Sequence, residues 1–257
     1  MSAGEILLLD AAVIGGLMIA LWLVSLRLRD ASIVDPFWGL GFVIVGWTAA
    51  LAGELSGWGL VLALLTTAWG LRLSLHLARR NLGHGEDFRY QSMRKRYPRF
   101  ALTSLVIVFG LQGLLMWIVA LPLQLAPALE GSRDLLGVLG AAVWAVGLAF
   151  EAVGDAQLAR FRADPANKGR VLDTGLWRYT RHPNYFGDAC VWWGLWLVAL
   201  AAGAPWWTVV GPVVMTVLLR RVSGVTLLER SLVQRRPGYE EYVRRTSAFV
   251  PRPPRGS

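Results

Sequence analysis

The sequence predicts an all-α integral membrane protein, a seven-transmembrane-helix bundle. Three observations lead there. Of the 257 residues, 55% are hydrophobic and the mean hydropathy is +0.47, too apolar for an ordinary soluble domain. The apolar residues come in runs close to the length a helix needs to cross a bilayer, roughly 20 residues. Between those runs, Lys and Arg collect in alternate connections.

Taken in order, the first run covers about 5–26; no small-residue cleavage site follows it, so it reads as a retained helix, not a signal peptide. The second, about 37–53, follows Asp35-Pro36, where Asp35 can cap the helix and proline suits its first turn. The third, about 58–78, aligns Arg72, His76 and Arg79 or Arg80 on one face, and breaks at Asn81 and Gly83. The fourth spans about 101–125. The fifth, about 135–157, is interrupted by Glu151 and Asp155. The sixth and seventh, about 188–203 and 205–220, are short and nearly contiguous, forming either a tight helical hairpin or a partly re-entrant pair.

With seven spans, one set of connections comprises 27–36, 79–100, 158–187 and the tail from 221. Together with Arg72 and Arg220 at their helix ends, it holds 25 of the 26 Lys and Arg, and only Arg133 lies opposite. The positive-inside rule then puts the polar loops and the C-terminus in the cytoplasm and the N-terminus outside. The net charge of +9 is interspersed between apolar runs, which suits an anionic leaflet or an anionic cofactor and argues against nucleic acid. Cys190 is the single cysteine, which excludes an intramolecular disulfide, and three scattered histidines make no zinc site. There is no glycine fingerprint, P-loop or nucleophile elbow.

The dense polar motifs all fall on the basic side. Asp35, between apolar stretches, is either a helix cap or a carboxyl with a raised pKa able to donate a proton. In "NLGHGEDFRY", 81–90, acids, glycines and aromatics alternate as around a bound polar ligand, making Glu86 and Tyr90 further candidates for the acid. The neighbouring "MRKRYPR" reads as a loop facing lipid headgroups. Glu151 and Asp155 share a helix face with Arg162, placed there for an internal ion pair or for a ligand. In "RYTRHPNYFGD", 178–188, Arg181 offers a fork for phosphate and Asn184 a two-sided amide; Tyr179, His182 and Tyr185 offer rings, and Asp188 heads the sixth helix. The tail "LLERSLVQRRPGYEEYVRRTSAFVP" sets Arg236 and Tyr239 among further arginines, as a surface helix or a cover over the same ligand. Together the loops and tail describe a site for an anionic, ring-bearing cofactor at a membrane surface.

The stretch "GLWRYTRHPNYFGD" resembles the C-terminal region of the steroid 5α-reductase superfamily, which includes the sterol reductases, and most closely its bacterial uncharacterised 5α-reductase-like branch. "DPFWGLGF", "WGLRLSLHLARRN" with "GEDFRY", and the tail extend the likeness over nearly the whole chain. The resemblance implies one domain over 1–257, with a substrate-side half at 1–130, a cofactor-binding half at 131–250 and a disordered end at 251–257. It implies NADPH as cofactor and, as activity, reduction of a carbon–carbon double bond in a steroid- or isoprenoid-like lipid. Asn184 and Asp188 match the family's cofactor-holding asparagine and acid, Asp155 and Arg162 an Asp…Arg pair, and Arg170, Asn81 and Tyr239 further cofactor positions. The substrate half departs: Asp35 stands where the steroid enzymes carry a Gln-Glu pair, Trp69 near their tyrosine, and Glu229 at a tail histidine.

The same wider superfamily contains isoprenylcysteine carboxyl and phospholipid methyltransferases, which share "RHPxYxG" and use S-adenosylmethionine. The joint presence of Asn184 and Asp188, with the density of arginine, favours the reductases. A non-catalytic lipid-binding membrane protein is the third reading. The expected location is the bacterial inner membrane, and no nucleic acid is expected as a partner.

Overall fold

The computed structural model describes residues 1–53, 57–81, 83, 85–126, 133–222 and 238–255. Every regular element among them is helical; one isolated parallel bridge joins Thr180 and Ser247. Two compact units share the chain, one of Met1–Val138 with Leu195–Gly211, the other of Leu139–Gly194 with Pro212–Ser257.

In the first unit, α1 runs over Ala3–Leu28. A capping box at Ser2 and Glu5 starts it two residues before the apolar run, with the Glu5 amide donating to Ser2 Oγ at 3.3 Å and the Ser2 amide to Glu5 Oε2 at 2.7 Å. Arg29 ends it at φ 54°, the left-handed cap conformation that favours glycine. A 3₁₀ turn, Ala31–Ile33, capped by Asp30, leads into α2, Val34–Ala52. Asp35 therefore lies inside the first turn and not at the cap, which frees its carboxylate for other partners. α3, Gly57–Asn81, packs along α2 so closely that a β-carbon at Gly70 would fall 2.5 Å from the Gly39 carbonyl oxygen. Trp69 is fully buried there beside Phe42, ring centroids 5.9 Å apart.

Next come α4, Phe88–Arg96, and a helix in three parts: α5, Phe100–Ser104, a π segment, Leu105–Gly110, and α6, Leu111–Val119. The single run expected at 101–125 is broken at Ala120, and α7, Leu121–Leu125, follows as a separate turn. Pro122 is the cause: it lacks an amide hydrogen and its ring would clash with the carbonyl four residues back. Gln124 Nε2 donates to the Trp117 carbonyl at 2.7 Å.

α8, Asp134–Ala163, is one unbroken helix of 30 residues, about 45 Å long. Glu151 and Asp155 do not interrupt it, and it continues past the apolar run through Arg160 and Arg162. α9 covers Pro183–Ala201. It begins at proline, which suits the first helical position, so Asn184 and Asp188 belong to its first two turns and not to the preceding loop. A 3₁₀ turn at Trp206–Val209, α10 at Val210–Val217 and a π segment at Leu218–Val222 follow, and α11 occupies Tyr239–Arg245.

Five of the described helical stretches are long and apolar enough to cross a membrane: Ala3–Leu28, Ala31–Ala52, Gly57–Asn81, Phe100–Val119 and Asp134–Ala163. That fits a membrane protein. The two other expected spans correspond to α9 and to 206–222. α9 opens with Asn184, Tyr185 and Asp188 and carries several tryptophans, and 206–222 passes from a 3₁₀ turn through α10 to a π segment, so neither is a plain apolar rod.

Within the second unit, α8 meets α9 along glycines spaced seven apart. A β-carbon at Gly147 would lie 2.6 Å from Gly187 O and 2.6 Å from Val191 N; one at Gly194 would lie 2.5 Å from Trp144 N and 2.7 Å from Gly140 O. These neighbours are backbone and cannot swing aside. Gly147→Ala is expected to lower the apparent melting temperature in detergent, corresponding to about 2 kcal/mol. Gly16→Ala, where nothing lies within 4 Å, should raise it by up to about 1 kcal/mol. Equal melting of the two variants would refute the close seam.

Candidate functional site

In the second unit, the inward face of α8 carries Glu151, 3% exposed, and Asp155, 8% exposed. Gly154 has no side chain, and a β-carbon there would come within 3.2 Å of the Asn184 amide nitrogen. The start of α9 therefore lies against this turn of α8. Asn184 Nδ2 donates to Asp155 Oδ1 at 3.1 Å, and Asn184 Oδ1 accepts from the Tyr185 amide at 3.1 Å. The carboxylate thus fixes which way the amide points. The rings of His182 and Tyr185 stack at 5.4 Å and 3°. Asp188, one turn beyond Asn184, is half-buried.

The loop before α9 is pinned from both sides. Trp177 Nε1 donates to the Gly154 carbonyl at 3.1 Å, and Gln157 Oε1 accepts from the Leu176 amide at 3.1 Å. Tyr242 donates its hydroxyl to the Trp177 carbonyl. Arg181 is buried, and its NH1 donates to the Val243 carbonyl at 3.0 Å and to that of Thr246. Its NH1 group thus fastens the end of α11. Thr180 Oγ1 donates to the Phe249 carbonyl at 2.8 Å, and the Arg252 amide to the Tyr179 carbonyl at 3.0 Å. The Arg255 amide reaches the Arg245 carbonyl at 2.9 Å. Residues 251–255, expected to be disordered, are thus tied back onto the chain. Tyr239 is 5% exposed, edge-on to Tyr242 at 5.8 Å, and belongs to this packing. Arg162, Arg170 and Tyr179 are exposed. Arg236 lies outside the described residues.

The first unit gathers a second polar cluster around Asp35. Its Oδ1 accepts from the Tyr90 hydroxyl at 2.7 Å and its Oδ2 from Arg89 NH2 at 2.5 Å. Gln112 Nε2 donates to the Tyr90 hydroxyl oxygen at 3.2 Å, and Gln112 Oε1 accepts from Trp38 Nε1. The bonds run in one direction, Trp38 to Gln112 to Tyr90 to Asp35. Burial pushes the Tyr90 phenol well above its ordinary pKa, and the adjacent Asp35 charge pushes it further. Tyr90 therefore keeps its proton.

Glu86 does different work. Arg94 grips it through Nε at 3.0 Å and NH2 at 2.7 Å, and it accepts from the Ala31 amide at 2.9 Å, stapling the loop to the start of α2. Burial acts to raise its pKa, but the bonds from Arg94 and Ala31 outweigh that and hold it below the ordinary carboxylate range. Asn81 ends α3; its Oδ1 accepts from Arg80 Nε at 3.0 Å, and its buried Nδ2 has no hydrogen-bond partner among the described residues.

Sequence reasoning missed Gln112 and Trp38. A lone amide inside "VIVFGLQGLLMW" is costly in an apolar phase, and that cost was the available signal.

The profile of a family described as "Protein of unknown function (DUF1295)" matches residues 21–246, and the chain belongs to that family. No curated protein and no solved structure matches.

The Glu86 staple sets the acid response. Its pKa is lower folded than unfolded, so its stabilisation is present above about 4.5 and is lost as pH falls through the folded value. The melting temperature should drop as pH is taken below that point. Glu86→Gln should melt lower at neutral pH and lose part of the acid-dependent drop. An unchanged acid limb in the variant assigns that limb to other carboxylates.

Proposed function

We propose that this DUF1295 protein is an NADPH-dependent reductase of a carbon–carbon double bond in a steroid- or isoprenoid-like lipid. In this reading α9 and 206–222 complete seven spans in a bacterial inner membrane, with the N-terminus outside and the polar loops in the cytoplasm. The observation that carries it is the Asn184–Asp155 hydrogen bond, which orients an amide at the foot of an arginine-bearing helix.

The donor set fits the cofactor. A buried carboxylate holds an amide with a fixed face, two stacked rings flank it, and exposed guanidinium groups at Arg162 and Arg170 suit phosphates. Asn184 and Asp188 hold the ribose–nicotinamide end, and Asp155 orients Asn184. Arg181, occupied by the Val243 and Thr246 carbonyls, is a positioning residue that keeps the tail in place. Held there, NADPH would supply the hydride for the β-carbon of a polarised alkene.

The protein's own part is to exclude water and manage the proton. Of the three candidate acids, Tyr90 is the one whose proton burial retains; that proton lies on the bond to Asp35, so delivery to a substrate requires the hydroxyl to turn away from the carboxylate. Asp35, facing Arg89, serves as the charged acceptor that aligns Tyr90 and not as the acid itself. Glu86 has its oxygens committed to Arg94 and the Ala31 amide and acts as a structural staple.

The test is a thermal-shift titration of the purified protein with NADPH, NADH and S-adenosylmethionine. A ligand at 100 times its Kd should stabilise the fold by about 2.7 kcal/mol. NADPH is expected to raise the melting temperature, and Asn184→Ala to remove the rise. Tyr90→Phe should keep the rise and lose turnover. Stabilisation by S-adenosylmethionine alone would overturn the reading in favour of a lipid or prenyl-protein methyltransferase.

A further inference from the structure

A cavity of about 230 Å³ opens in the first unit where α1 ends and α5 begins, both belonging to stretches apolar enough to cross a membrane. Ser25, Leu26, Arg29, Arg94, Phe100 and Ser104 line it. Trp22 Nε1 donates to the Ala101 carbonyl at 2.8 Å and fastens the two walls together; tryptophan is enriched where a membrane meets water.

The lining is divided chemically. On one side stand two guanidinium groups. Arg94 is aimed by Glu86 and lies over the Phe100 ring at 4.7 Å. Arg29 is exposed and makes no side-chain hydrogen bond or ion pair among the described residues. Glu86 and Asp30 are the nearby acids, but the adjoining segments add Arg27, Lys95, Arg96 and Arg99, so positive charge dominates. On the other side, Ser25 Oγ donates to the Trp22 carbonyl at 2.7 Å and Ser104 Oγ to the Ala101 carbonyl at 3.0 Å. Their hydrogens are committed, and their oxygens remain as acceptors. Leu26 and Phe100 form the apolar wall.

A second observation singles out Arg29. It occupies φ 54° at the end of α1, where glycine or asparagine is the favourable choice. Its side chain contributes nothing to the cap, which is made by its amide and that of Asp30 to the Ser25 carbonyl. The left-handed cap thus sets Arg29 against the cavity without drawing on its side chain.

We propose that this cavity binds the headgroup of an anionic phospholipid that also carries hydroxyls, a phosphoglycerol group. The arginines take the phosphate, the serine oxygens accept from the glycerol hydroxyls, and the acyl chains leave along Leu26 and Phe100. The volume suits a glycerophosphate and is too small for a dinucleotide, so the inference is independent of the reductase reading.

Native mass spectrometry of the delipidated full chain tests it, with short-chain phosphatidylglycerol, short-chain phosphatidylcholine and glycerol 1-phosphate as probes. Phosphatidylglycerol should bind with one saturable site and phosphatidylcholine should not compete. Arg29→Gly should weaken binding about tenfold and at the same time raise the melting temperature, because glycine relieves the left-handed cap. Leu26→Trp should block the site. Unchanged binding in both variants, or equal binding of phosphatidylcholine, overturns the proposal. Glycerol 1-phosphate binding as tightly as the lipid assigns the cavity to a soluble phosphate ester and removes the lipid from it.

Discussion

Bare backbone against bare backbone is the contact from which the second unit is built. Gly140, Gly147 and Gly154 on α8 meet Gly194, Gly187 and the Pro183–Asn184 turn on α9. Among apolar surroundings the hydrophobic effect cannot hold helices together, so close packing and polar pairing must do so. The missing β-carbons bring the helices near enough for Asp155 to accept from Asn184. A side chain at 154 would force the start of α9 to give way by a few tenths of an ångström, right where Asn184 donates to Asp155. The seam and the site are one requirement.

The same economy of polar groups governs the first unit. Asp35 satisfies one oxygen with Tyr90 and the other with Arg89, and Tyr90 in turn accepts from Gln112. Tyr90 and Arg89 come from α4 and Gln112 from α6, so the cluster exists only when the loop after α3 is seated. Glu86 seats it by accepting from the Ala31 amide beside α2, and Arg94 holds Glu86 in place. Local chain order thus points the Tyr90 hydroxyl at Asp35.

The helices were legible because each consists of an apolar run near membrane length, and their ends were not, because caps and prolines set them. Ser2 and Glu5 extend α1 beyond its apolar residues, and Pro122 divides a run that hydropathy alone reads as continuous. Asp155 was legible as a site residue through its helical spacing and Asn184 through the resemblance, but their bond to each other was not. Arg181 was not. A guanidinium suits phosphate or carbonyl equally well, and nothing in the sequence tells that the end of α11 lies beside it. Gln112 stayed hidden for the opposite reason: its partner Tyr90 is 22 residues away in an intervening short helix. The seven-residue spacing of Gly140, Gly147 and Gly154 was open to reading, and so was its repetition in Gly187 and Gly194.

The length of α8 links these parts chemically. Its inward face is buried at Glu151 and Asp155 and becomes exposed by Arg162, two turns beyond Asp155. One face of one helix thus passes from an apolar layer into a basic, solvated one within about 10 Å. Carboxylates at the deep end hold donors such as the Asn184 amide; guanidinium groups at the shallow end attract anions. A ligand matching both must carry hydrogen-bonding groups at one end and negative charge at the other, and it must approach from the basic side. A compact neutral lipid meets neither demand along this face. On the reading proposed above, this gradient would suit an elongated anionic cofactor, with the polar motif "RYTRHPNYFGD" at the entrance to α9.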